Sequence, residues 1–131
     1  MKIIDADLLD QITKQAKENT RKRMNYNFHA SLESNVQRLL NALEPGTNFP
    51  IHRHPHTAET YILVRGSIHV SIYNDAKEVL NTIVLNPVEG QYGIDIPAGQ
   101  WHSLEVLESG TVIFEVKEGP YRKVEDDDIL F

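Results

Sequence analysis

Residues 46–66 read GTNFPIHRHPHTAETYILVRG, and five positions within them form the pattern Gly46-x5-His52-x-His54-x4-Glu59-x6-Gly66. Two histidines separated by one residue on an extended chain project to the same face, so a strand here puts both imidazoles on one side of a sheet. Pro55 follows His54 directly and Glu59 opens the next apolar run, so a short turn can carry its carboxylate back to the imidazoles. Imidazole nitrogen and carboxylate oxygen together suit a divalent transition metal. A fourth candidate ligand, His102, stands just after the turn sequence Pro97-Ala98-Gly99. These residues point to a small β-barrel that holds one metal ion in its mouth. The alternative is a surface histidine cluster or a chance His-x-His, and His102 weighs against it.

With Pro97-x-Gly99-x2-His102 downstream, the spacing resembles the two motifs of the cupin superfamily, in which the equivalents of His52, His54, Glu59 and His102 bind the metal. The first motif matches in full. The second departs at Gln91, where the family has a glycine six residues before the proline, and at Val106, where it has an asparagine. NFHASLESNVQRLLNALEPGT (27–47), PxGxWHSLE (97–105) and FEVKEGPY (114–121) are similar to the WbuC-type cupin-fold metalloproteins, which are often associated with bacterial surface-polysaccharide genes. The resemblance implies a mainly β fold, a cupin-type double-stranded β-helix (jelly-roll barrel) with an N-terminal α-helix. It implies the four metal ligands and no particular substrate.

A chain of 131 residues fits one domain, read as an N-terminal helix and extension over 1–35, a β-barrel over 36–118 and a C-terminal tail over 119–131. Hydrophobic residues make up 40% of it, enough for a packed core. There is no cysteine, which excludes disulfide frameworks, thiolate zinc sites and cysteine nucleophiles. Thirteen basic against 19 acidic side chains give a net charge of −6, which disfavours nucleic acid as a partner. The amino terminus carries acids where a signal peptide needs a continuous apolar run, and no stretch approaches the length of a membrane span. A cytoplasmic location and no membrane partner are therefore expected.

Residues 5–19 read as a helix, with Asp5 or Asp7 as cap and Leu8, Leu9, Ile12 and Ala16 at helical spacing. It is expected to cover one opening or edge of the barrel. Val36–Glu44 passes for a helix on propensity, but the resemblance and the sheet that the metal motif requires make it a strand, with Arg38, Leu40 and Ala42 on one face. Short runs rich in Ile, Val, Thr, Tyr and Phe follow: 59–64, 67–73, 79–85, 92–96, 101–107 and 111–117. Turn residues separate them, as in an antiparallel sandwich or barrel. The end of the chain is an acidic run, 124–128, whose side chains are expected in solvent, and an apolar triplet expected to tuck onto the barrel or a neighbouring subunit. Exposed sheet edges and this spare terminal material lead to the expectation of a homodimer.

Three neutral imidazoles and one carboxylate leave a divalent ion with net charge +1, and an octahedral ion with two open positions. Fe, Mn, Ni and Zn all fit, so the expected cofactor is one divalent transition metal of open identity. An open metal can polarise a carbonyl, activate water or bind dioxygen. The surface-polysaccharide association suggests isomerase- or epimerase-like chemistry on a small polar molecule such as a sugar derivative. The alternatives are a dioxygenase acting on a small organic acid and a non-catalytic small-ligand module. Asn27 and His29 are carried as substrate-binding candidates because they belong to the family pattern. Tyr61 joins them because it shares the inward face with Glu59. Arg38, charged on a barrel strand, is either salt-bridged or an anion clamp for the substrate. Arg53 should face away from its two histidine neighbours, His69 lines either the cavity or solvent, and Trp101 either stacks on a sugar or covers the barrel lip, the cover being preferred. No general acid or base is placed by the sequence.

Overall fold

The computed structural model describes residues 1–131, which form one α-helix and ten β-strands. Helix α1 (Ala6–Glu18) starts where Asp5 accepts a hydrogen bond from the Leu8 backbone N–H, satisfying one of the free donors of the first turn. The strands are β1 (Arg23–Asn27), β2 (Val36–Leu43), β3 (Ile51–His52), β4 (Glu59–Arg65), β5 (Ile68–Tyr73), β6 (Val79–Leu85), β7 (Gly93–Ile96), β8 (Trp101–Val106), β9 (Thr111–Glu118) and β10 (Ile129–Leu130). They make two antiparallel five-stranded sheets, ordered β1-β2-β9-β4-β7 and β10-β3-β8-β5-β6. The sheets pack face to face as a jelly roll, and the strand expected over 36–44 is present.

Alternation along the strands decides what lies between the sheets. From the first sheet, Leu43, Leu63 and Ile113 point inward; from the second come Ile68, Val70, Leu85, Leu104 and Val106. All are buried and packed together. This apolar plug fills one end. Gly66 closes it: the chain turns there at φ +88°, and a Cβ at that position would collide with Thr111, so only glycine lets β9 lie this close.

The other end is polar, and register explains why. Gln37, Lys117, Glu59 and Ile96 are neighbours across the first sheet. Asn27, Leu39, Glu115, Tyr61 and Ile94 form the next inward row. His52, His102 and Ile72 face them from the second sheet.

Helix α1 covers the outer face of β1, β2 and β9 rather than an opening or an edge. Leu9, Ile12 and Ala16 pack on Leu40, Ala42 and Val112. That placement corrects the expectation for Arg38. It does share a face with Leu40 and Ala42, but this is the outer face under the helix; the inward residues of β2 are Gln37, Leu39, Asn41 and Leu43. The alternation holds, and the apolar side of β2 lies outside the barrel because the helix buries it there.

The terminal segments are part of the sheets. The extension supplies β1, and the tail supplies β10, which pairs with β3 and covers that edge. Ile129 and Leu130 are half-buried there, while Phe131 remains exposed. The acidic run is not wholly solvated, because Asp128 pairs with Arg53 at 2.8 Å. No helix is long and apolar enough to cross a membrane.

Candidate metal centre

His52 ends β3, His102 is its direct partner on β8, and Glu59 begins β4. His54 lies just beyond β3, where its carbonyl accepts the Gly99 N–H at 2.9 Å and ties the first histidine loop to the turn before His102. Donor atoms of His52, His54, Glu59 and His102 all lie within 4.8 Å of one another. Glu59 faces two of the rings: its Oε1 is 3.1 Å from His54 Nε2, and its Oε2 is 3.3 Å from His102 Nε2.

The backbone orients two of the imidazoles. His52 Nδ1 is 2.9 Å from the Pro50 carbonyl, and His102 Nδ1 is 2.8 Å from the Gln100 carbonyl. A carbonyl can only accept, so each Nδ1 carries the proton, and each Nε2 is left with a lone pair aimed inward. His102 Nε2 is buried and has no hydrogen-bond partner. In the neutral ring a nitrogen lone pair would therefore face a carboxylate oxygen, an arrangement that repels unless a proton or a metal cation sits between them. The donor set fits a divalent transition metal on this count.

Electrostatics agree. Burial, and then the neighbouring His102, push His52 down to about 4, so its ring is neutral at ordinary pH. Burial alone would raise Glu59, but the His102 and His54 rings and the Lys117 ammonium win and hold it well below the usual carboxylate range.

Of the substrate-binding candidates, the structure brings Tyr61 to the cluster, where its hydroxyl donates to Glu59 Oε2 at 2.6 Å. Burial, and then the charges of Glu59 and Glu115, keep that hydroxyl well above its ordinary pKa, so it stays a donor. Asn27 lies on the inward row but at its exposed outer edge. His29 is occupied with the backbone of β2, its Nδ1 accepting the Arg38 N–H at 3.0 Å. Arg38 is exposed, with its guanidinium reaching only the Phe28 carbonyl. His69 is on the outer side of β5, paired with Glu105 and Val84. Trp101 is buried on the outer side of β8 with Arg53 stacked 4.4 Å above its ring, which gives it the covering role.

Two inward residues of β9, Glu115 and Lys117, were not foreseen. Glu115 is the cross-strand neighbour of Tyr61, and Lys117 that of Glu59. The signal was two charged residues at an interval of two on the same face as Ile113, alternating with apolar Phe114 and Val116. Burial, and then the charge of Glu59, raise Glu115 to about 7.

The model of a family described as "Domain of unknown function (DUF6016)" matches residues 4–85. The chain belongs to the DUF6016 family. No curated protein matches it. Among solved structures, this DUF6016 chain is similar to TT1209 from Thermus thermophilus, at 20% identity and TM-score 0.64, with 90% of this chain and 97% of that one covered. It is similar to a cupin-2 domain-containing protein from Shewanella frigidimarina, at 19% identity and TM-score 0.56, covering 73% and 80%. It is also similar to a variant of the oxalate decarboxylase OxdC from Bacillus subtilis, at 22% identity and TM-score 0.58, covering 76% of this chain but only 26% of the decarboxylase. At these identities the likeness establishes the fold, and the fold is that of the cupins.

Proposed function

We propose that this chain, folded as one domain over 1–131, holds one divalent transition metal (Fe, Mn, Ni or Zn) through His52, His54, Glu59 and His102. We further propose that it is an enzyme acting on a small polar molecule such as a sugar derivative, with isomerase- or epimerase-like chemistry. The observation that carries the metal is the buried, partnerless Nε2 of His102 aimed at Glu59. When bound, such an ion supplies Lewis acidity to a carbonyl or hydroxyl oxygen of the substrate.

The chain's own groups supply the rest. Tyr61 fixes the Glu59 carboxylate by its hydrogen bond. Glu115, on the inward row beside Tyr61, is a carboxyl that burial raises above its ordinary range, and it can give or take a proton. Asn27, at the open edge of that row, can receive a hydroxyl of the substrate. The similarity to WbuC-type proteins supports a role in surface-polysaccharide metabolism. A second reading, dioxygenase chemistry on a small organic acid, is favoured by the Lys117 ammonium 3.5 Å from Glu59.

The remaining readings are a homodimer, a small-molecule ligand in place of nucleic acid, and a cytoplasmic location. The edge strand β6 exposes Val79, Leu80 and Val84, which a twofold mate would cover. A monomeric mass in solution scattering at micromolar concentration removes the dimer. The test of function is metal analysis of untagged protein, followed by a panel of nucleotide-sugars and by dioxygen uptake. Turnover of a sugar without oxygen consumption is the expected result. Oxygen consumption with an organic acid selects the second reading, and saturable binding without turnover selects a non-catalytic ligand module.

A further inference from the structure

One charged side chain outside the four donors reaches the cluster. Lys117 stands directly across β4 and β9 from Glu59, with Nζ 3.5 Å from Glu59 Oε1 and its side chain 17% exposed. His54 approaches the same oxygen at 3.1 Å. Lys117 and His54 are also the inner wall of a cleft of about 690 Å³ that runs between residues 54–57 and the tail from 117 onward. Arg53, Arg122 and Lys123 line it further out, with Glu118, Glu125 and Asp128. Asp128 already answers Arg53. Lys117 is thus the cation at the junction of cleft and cluster, and its one ion pair within 4 Å is with a carboxylate the metal would claim, the Glu115 carboxyl of its own strand lying further off.

The consequence rests on the metal reading given above. A divalent ion held by neutral imidazoles and Glu59 keeps a net charge of about +1, and Lys117 adds another within the same largely buried space. Uncompensated charge of that kind is costly. An oxyanion reaching both the open metal positions and the ammonium removes the cost. We propose that Lys117 is a specificity-determining residue that selects an anionic ligand, carboxylate or phosphoryl, whose remainder lies in the cleft. A lysine suits this task because its compact ammonium donates in several directions to an oxyanion that the metal has already oriented.

The experiment titrates Co(II) into the full chain, follows its visible absorption, and then adds malonate, inorganic phosphate or neutral glucose. Malonate or phosphate, whichever class the site takes, changes the Co(II) spectrum saturably, and glucose does not. Lys117→Met weakens that anion roughly tenfold or more. Its Co(II) affinity is unchanged or higher, because a repelling charge has gone. Lys117→Arg keeps the charge and retains most of the anion affinity, which guards against misfolding as the explanation. Co(II) binding with no anion response, or with equal anion affinity in Lys117→Met, overturns the inference and leaves the metal reading intact. A large loss of Co(II) affinity in Lys117→Met makes the lysine structural and also overturns it. Absence of Co(II) binding overturns both.

Discussion

Replacing Glu115 with Gln should stabilise the metal-free protein, and only above mildly acidic pH. The carboxyl lies on the inward face of β9 among Glu59 and Tyr61 of β4, Lys117 of its own strand, Asn41 of β2 and Arg23 of β1. Burial, and then the charge of Glu59, raise it from 4.5 to about 7; Lys117, the hydrogen bond from Asn41 and Arg23 oppose the rise without cancelling it. A carboxyl with a raised folded pKa binds its proton more tightly in the folded chain. Its contribution to stability is full below the unfolded value and is lost as pH climbs through the folded one. A rise of this size is worth about 3 kcal/mol. Gln keeps the oxygen that accepts from Asn41 Nδ2 and never ionises. The two proteins should therefore match at about pH 4 and diverge between the unfolded and folded pKa. Above pH 8 the variant should lead by about 2–3 kcal/mol, which for a chain of this length is a melting shift of roughly 10 °C.

Urea unfolding followed by Trp101 fluorescence, in EDTA and at half-unit steps of pH, measures this directly. Metal should shrink the gap, because an ion at Glu59 cancels the charge that helps to raise Glu115. A difference between the two proteins that is constant from pH 4 to 8 would refute the reasoning, since a packing effect has no reason to titrate.

His54→Ala removes one donor and should lower Co(II) affinity at least tenfold, so that the rise in melting temperature on adding Co(II) largely disappears; calorimetric titration and a thermal scan with and without metal check it. Arg53→Met touches no donor atom, yet it should weaken Co(II) by about tenfold through lost positioning, and Asp128→Asn should do nearly the same with little further loss in the double variant. Additive losses in that cycle refute the coupling. Ile12→Ala, at a position 2% exposed between α1 and the outer face of β2 and β9, should cost about 2–4 kcal/mol in urea unfolding while Co(II) affinity is unchanged.

Much of this arrangement was legible in the sequence because the chemistry depends on spacing. His-x-His on an extended chain has to place two rings on one side, and Pro97-x-Gly99 has to turn before His102; that His102 joins the other three is what the resemblance to the cupin motifs implies. Strand positions were legible to within one or two residues because glycine, proline and asparagine separate the apolar runs. Which face of β2 looks inward was not legible. Its alternation is shared between a helix-covered outside with Leu40 and Ala42 and a part-polar inside with Gln37 and Asn41, so hydrophobicity alone assigns the sides the wrong way round. The tail was illegible for a different reason. Ile129-Leu130 is too short to signal a strand, and its pairing with β3 depends on partners, His52 and Ile51, that stand more than half the chain earlier.

That late pairing explains how a two-residue strand can carry one of the candidate metal ligands. β3 has one register partner on β8, His102, and would be a loose edge on its own. The tail adds a second ladder: Ile129 lies opposite His52, and the Arg53 N–H donates to the Asp128 carbonyl at 3.0 Å. The Arg53 side chain then faces outward, clamped by Asp128 and laid over Trp101, whose indole N–H donates to Asp75 at 2.7 Å. Fixing residue 53 outward on a chain of alternating direction aims residues 52 and 54 inward. The polar clamp between the two histidines and the ligand geometry are therefore one device, and it is completed by the last residues of the chain.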